Sequence, residues 1–152
     1  MSATNLPGAR GSPHVTRVAV RYHETDQMHV VHHSQYVIYF ELGRTEMMRA
    51  SGLDYAGMER RGVLLAVVEV GLRYLRPARF GDELAIETSI TSVERVRVRF
   101  DYSVRRAGAD GELLCRGHTL LACVDRELAP RRLPDADREC MLARLAGTPP
   151  AA

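Results

Sequence analysis

The residues best able to do chemistry in this sequence are crowded between Arg21 and Tyr36. That stretch holds His23, His29, His32 and His33, four of the chain's six histidines, together with the carboxylates Glu24 and Asp26. Two kinds of chemistry fit such a set. His29, His32 and His33 have the i, i+3, i+4 spacing that would turn imidazoles toward one metal on a helix. However, His29 precedes the expected helix, and no cysteine or further ligand stands where it would complete a shell, so no metal is expected. The second possibility needs only a carboxylate and backbone donors. The stretch leads into a helical pattern, and the first turn of a helix leaves N–H groups unpaired at its positive end. Such a place suits a developing oxyanion. Asp26 lies seven residues before the expected helix start at His33, close enough for the loop to fold back. An N-cap sits immediately before the first turn, so the gap argues against simple capping and for catalysis. Glu24 reads as a hydrogen-bonded or solvated strand-end residue and is assigned no role.

The elements that would position these groups follow from periodicity. Val18, Val20 and Tyr22 alternate with Arg17, Ala19 and Arg21, which predicts a first strand with one buried face. After the loop the period becomes helical. Tyr36, Tyr39, Phe40, Gly43, Met47 and Ala50 share a stripe, and Val37, Ile38, Leu42 and Met48 broaden it. A helix this apolar is expected to be wrapped. Ser51-Gly52 supplies a stop, and Asp54 is placed to cap a short helix ending near Gly62. Glu41 and Arg44 are expected to form an ion pair within the long helix. From Val63 onward the chain reads as strands: Val63 to Arg76, then a segment around Leu84, Ile86 and Ile90. Next, Val98, Phe100, Tyr102 and Val104 alternate strictly with polar neighbours. Asp110-Gly111 turns into Leu113 to Asp125. Asp135 to Leu145 is amphipathic and predicts a terminal helix. Long antiparallel strands wrapped around one buried helix satisfy all these patterns. The edges of such a sheet favour pairing with a second copy.

Bulk properties set the frame. The 152 residues are 45% hydrophobic and 26% charged, the profile of one globular domain. Such a domain buries roughly 70% of its unfolded surface and needs no metal or disulfide. The domain is expected over residues 14–145, with loose tails at 1–13 and 146–152, both rich in Gly, Ala, Ser or Pro. A net charge of +2 excludes nothing locally, but gives no reason to expect nucleic acid or an anionic membrane as partner. Cys115, Cys123 and Cys140 form no C-x-x-C pair and read as small buried hydrophobes in a reducing compartment. No apolar run has the length of a membrane span, and the N-terminus has no signal-like apolar segment. A cytoplasmic location is expected.

The run Tyr22-x-Glu24-Thr25-Asp26-x-Met28-x-Val30-Val31-x-His33-x-x-Tyr36 resembles the signature of hot-dog-fold thioesterases. The relatives it resembles are 4-hydroxybenzoyl-CoA thioesterase and the acyl-CoA thioesterases associated with the Tol-Pal system. The resemblance continues through Arg73 to Asp82, Val124-Asp125 and Arg131 to Pro134. It implies an α+β fold, an antiparallel sheet of about five strands around one long central helix. It also implies hydrolysis of acyl-CoA thioesters without a cofactor, at a site between two subunits of a homodimer or homotetramer. Carried over residue by residue, Asp26 is the nucleophile or general base, and the backbone N–H of His33 polarises the thioester carbonyl. Tyr36, which ends the motif, is expected to contact substrate. Arg95 and Arg97, in the turn between the third and fourth strands, are expected to meet the CoA phosphates. One departure stands out: His29 occupies a position where the family usually has glycine, so a positive φ there would strain the loop.

The chemistry is self-consistent. A thioester is already activated, so a carboxylate near the carbonyl carbon and one or two aimed donors suffice, each donor contributing roughly 3 kcal/mol. Whether the aspartate attacks directly or activates water is left open by the residues. Two other functions fit the same fold. One is hydroxyacyl-thioester dehydration or hydration using His33 with Glu41 or Glu46. The other is a non-catalytic module that binds acyl thioesters.

Overall fold

Alternating and helical apolar periods sort the chain into the expected order of elements. The computed structural model describes residues 11–108 and 110–145. In chain order these form β1 (His14–Ala19), α1 (Gln35–Ala50), α2 (Tyr55–Arg60), β2 (Leu64–Tyr74), β3 (Glu83–Val93), β4 (Arg97–Arg106), β5 (Leu113–Val124) and α3 (Asp135–Leu145). Of the expected tails, residues 1–10 and 146–152 lie outside the described residues. The strands make one antiparallel sheet in the order β1-β3-β4-β5-β2. It curls around α1 in the hot-dog arrangement.

The strictest alternation in the sequence gives the most regular burial. Val98, Phe100, Tyr102 and Val104 of β4 all face the core, as do Leu84, Ile86, Thr88 and Ile90 of β3. Against them α1 lays Tyr36, Tyr39, Phe40, Gly43, Met47 and Met48. Close approach depends on two glycines. A Cβ on Gly43 would lie 2.5 Å from Thr88 Oγ1 and 2.8 Å from Ile86 Cγ2; one on Gly117 would meet the Phe40 ring at 2.5 Å. With both absent, the Phe40 ring stacks on Tyr102, centroids 4.4 Å apart and nearly parallel. Helix α1 stops where Ser51 and Gly52 predict, with Gly52 at φ 78°, and Asp54 caps α2 by accepting the Gly57 N–H at 2.8 Å.

Four expectations need correction. β1 ends at Ala19, and Tyr22, assigned to its buried face, is 76% exposed in a one-turn 3-10 segment, Tyr22–Glu24. The cause is local: Glu24 takes the Arg21 N–H and turns the chain. Ala50 lies exposed at the end of α1. Val37, Ile38 and Leu42, expected to be wrapped, are also uncovered in the single chain. Arg44 does not pair with Glu41. It is buried against the sheet with Nη1 donating to the Tyr102 hydroxyl at 3.5 Å, whereas Glu41 faces outward.

The cysteines behave as packing residues. Cys115 and Cys123 are buried, and burial pushes the Cys115 thiol up to about 12, which keeps it protonated. No helix among the described residues is long and apolar enough to cross a membrane.

Candidate active site

Glu24 closes the turn after β1, and the chain then makes a small hairpin. Asp26 N–H donates to Val30 O at 2.9 Å, His32 N–H donates to Glu24 O at 2.8 Å, and Thr25 bridges to Val31. The hairpin therefore sets Asp26 opposite Val30, and His33 follows three residues later on the return arm. Its tip is closed by His29 N–H donating to Asp26 O at 2.9 Å. His29 has φ 63°, the left-handed conformation that glycine adopts without cost. The position thus keeps a glycine-type backbone with an imidazole on it, at a cost of about 1 kcal/mol.

At the tip, Asp26 Oδ1 accepts the Met28 N–H at 2.8 Å. No hydrogen bond engages Oδ2 among the described residues, and the side chain is only half-buried. One oxygen holds the turn.

The peptide groups around His33 are fixed one by one. On the near side His32 N–H is taken by Glu24 O. The His32 carbonyl accepts Gln35 N–H at 3.0 Å, and the His33 carbonyl accepts the Tyr74 hydroxyl at 2.8 Å. In a trans peptide the N–H points opposite to the C=O. The bond at the His32 carbonyl therefore aims the His33 N–H away from the helix, and that N–H makes no hydrogen bond among the described residues. Ser34, at the N-cap, makes no side-chain capping bond. Its own N–H and hydroxyl turn instead to His32 Nδ1, at 3.2 and 2.8 Å. Among the described residues, the His33 N–H, two positions before α1, and Asp26 Oδ2 make no hydrogen bond.

Behind this opening stands an aromatic wall. Tyr36 packs edge-on against both Tyr39 and Tyr74, centroids 5.8 and 5.3 Å away. Burial pushes the Tyr36 hydroxyl up to about 12. The Tyr39 hydroxyl is driven up by burial, by its bond to Glu24 and by that carboxylate's charge, so it stays a donor.

Comparison with known proteins gives the family. The profile of the thioesterase-like superfamily matches residues 20–145. The chain belongs to that superfamily. The acyl-CoA thioester hydrolase YbgC of Escherichia coli is 36% identical over 118 residues, 77% of this chain and 87% of YbgC. YneP of Bacillus subtilis is 34% identical over 116 residues, 75% of this chain and 83% of its own. The crystal structure of a hypothetical protein from Thermus thermophilus superposes with a TM-score of 0.80 at 38% identity, covering 86% of this chain and 98% of that one. The enzyme is a thioester hydrolase.

The remaining site residues of this thioesterase are distributed unevenly. Tyr36 is 3% exposed, its ring inside the aromatic wall. Arg95 and Arg97 are exposed around the β3–β4 turn. That turn lies at the far end of β3 from the Asp26 loop within one chain: Ala19, just before the loop, pairs with Glu83 at the start of β3, and the turn follows its eleventh residue. At about 3.3 Å per residue, the contour along β3 between them is roughly 35 Å. His29, His32 and His33 lie before α1 and are not arrayed on a helix. Sequence reasoning gave no role to Tyr39, Tyr74 or Glu24. Tyr74 lay inside the stretch that resembles the family, but its partner is a backbone carbonyl 41 positions away. No local pattern signals such a bond.

Proposed function

We propose that this thioesterase hydrolyses acyl-CoA to free acid and CoA, with Asp26 as nucleophile or general base and the His33 N–H as oxyanion donor. The observation that supports this reading is that one loop carries both Asp26 Oδ2 and the His33 N–H, and neither makes a hydrogen bond among the described residues. The thioester carbonyl oxygen takes the His33 N–H. Asp26 Oδ2 then either adds to the carbonyl carbon or removes a proton from a water that does so. Collapse of the tetrahedral intermediate expels CoA thiolate, and in the first route water afterwards cleaves the mixed anhydride.

The placement of Arg95 and Arg97 at the far end of β3 from the Asp26 loop of their own chain supports a site shared between two copies. In that arrangement the β3–β4 turn that meets the CoA phosphates comes from a second subunit, and the functional unit is a homodimer or a pair of homodimers. A CoA-linked substrate also fits action in the cytoplasm.

The test is release of free thiol from a panel of acyl-CoAs. Asp26→Asn lowers kcat at least about 100-fold. A variant that keeps nearly the wild-type rate removes Asp26 from the reaction.

A further inference from the structure

Glu24 is 1% exposed, and a buried carboxylate is costly unless its lone pairs are filled. Here they are filled by four donors. Arg21 N–H reaches Oε2 at 2.8 Å, Arg21 Nε and Nη2 reach Oε1 at 3.1 and 3.0 Å, and the Tyr39 hydroxyl reaches Oε2 at 2.9 Å. The hydrogen bonds outweigh burial and hold its carboxyl below the usual glutamate value, so it is ionised at neutral pH. The same residue's backbone carbonyl accepts His32 N–H, the peptide group immediately before the one that bears the His33 N–H. Glu24 thus ties three parts together: the turn that follows β1 through Arg21, the second turn of α1 through Tyr39, and the arm that leads to His33 through its carbonyl. Asp26 follows two residues later on the same rigid arm.

We infer that Glu24, held by Tyr39 and Arg21, is a positioning residue that sets the Asp26 carboxylate against the His33 N–H. The inference rests on the proposed roles of Asp26 and His33. A carboxylate serving only solubility would face water. One serving only the 3-10 turn would need the Arg21 N–H and not a helix tyrosine fifteen residues away. An aimed donor is worth roughly 3 kcal/mol in the transition state and far less when misaligned, so loosening this anchor acts on kcat more than on KM.

The experiment compares Glu24→Gln, Tyr39→Phe and Asp26→Asn with the wild-type full chain. The readouts are acyl-CoA hydrolysis, thermal stability and amide hydrogen exchange. Glu24→Gln and Tyr39→Phe are each expected to lower kcat about 10-fold or more with KM within about threefold. They should speed exchange at the His32 amide while the middle of α1 stays protected. Adding Glu24→Gln to Asp26→Asn should cost little more, because both act on one step. If Asp26→Asn is inactive but the other two keep kcat within twofold and leave His32 exchange unchanged, the inference is overturned and the catalytic reading stands. If the wild type hydrolyses no acyl-CoA, both fall. Tyr39→Phe removes one hydroxyl only, so it decides the matter even where Glu24→Gln folds poorly.

Discussion

Asp26 spends one carboxylate oxygen on its own turn, and this makes its variants interpretable. Asparagine retains an oxygen at Oδ1 for the Met28 N–H, so Asp26→Asn should melt within a degree or two of the wild type while losing turnover. Loss of rate then reports chemistry and not folding. His29 offers the opposite case, a residue whose backbone is strained. His29→Gly relieves the left-handed conformation but adds freedom to the unfolded chain. The net gain expected is about 0.5–1 kcal/mol, or a melting temperature higher by roughly 1–4 °C for a chain of this size. A melting temperature that falls would show that the imidazole makes a stabilising contact outweighing its strain.

Helix α1 shows both agreement between sequence and structure and the most instructive difference. Its apolar stripe, its stop at Ser51-Gly52 and its approach to the sheet at Gly43 all follow from side-chain size and spacing. Gly43→Ala sets a methyl group 2.5 Å from Thr88 Oγ1, so the helix must move off β3. Denaturant unfolding is expected to show a loss of roughly 1–3 kcal/mol. Turnover per folded molecule should also fall, because the proposed donor at His33 lies just before this helix. An unchanged midpoint would mean that the sheet yields freely at this contact. Arg44 and Glu41, by contrast, had the spacing of a surface ion pair. The stripe is wide enough to take Arg44 inside, where Tyr102 meets it. Which of two residues three apart faces inward depends on the helix's rotation about its axis, and neighbouring strands set that.

For the molecule as a whole, the uncovered apolar surface matters most. Strand β2 ends the sheet with Val67, Val68 and Val70 each 39–54% exposed and a bulge between Val67 and Glu69. The bond from Tyr74 to His33 brings the end of β2 beside the start of α1, where Val37 and Ile38 are also bare. A free edge flanked by aliphatic side chains invites pairing. In light scattering the wild type should run at no less than about twice the 17.0 kDa chain mass. Replacing Val68 and Val70 together with lysine should yield monomer and, if the site is shared, abolish hydrolysis. A monomeric variant with full activity would confine the site to one chain.

Local chemistry determined much of this protein. Alternation along β4, the apolar period of α1 and the Asp54 cap are short-range facts, and each survives in the fold because side-chain direction follows backbone period. Only tertiary structure could bury Glu24 under Tyr39, bring Tyr74 to the His33 carbonyl, rotate Arg44 inward and separate Arg95 from Asp26. Those outcomes depend on contacts between residues far apart in the chain, and such contacts exist only once the sheet has closed on its helix.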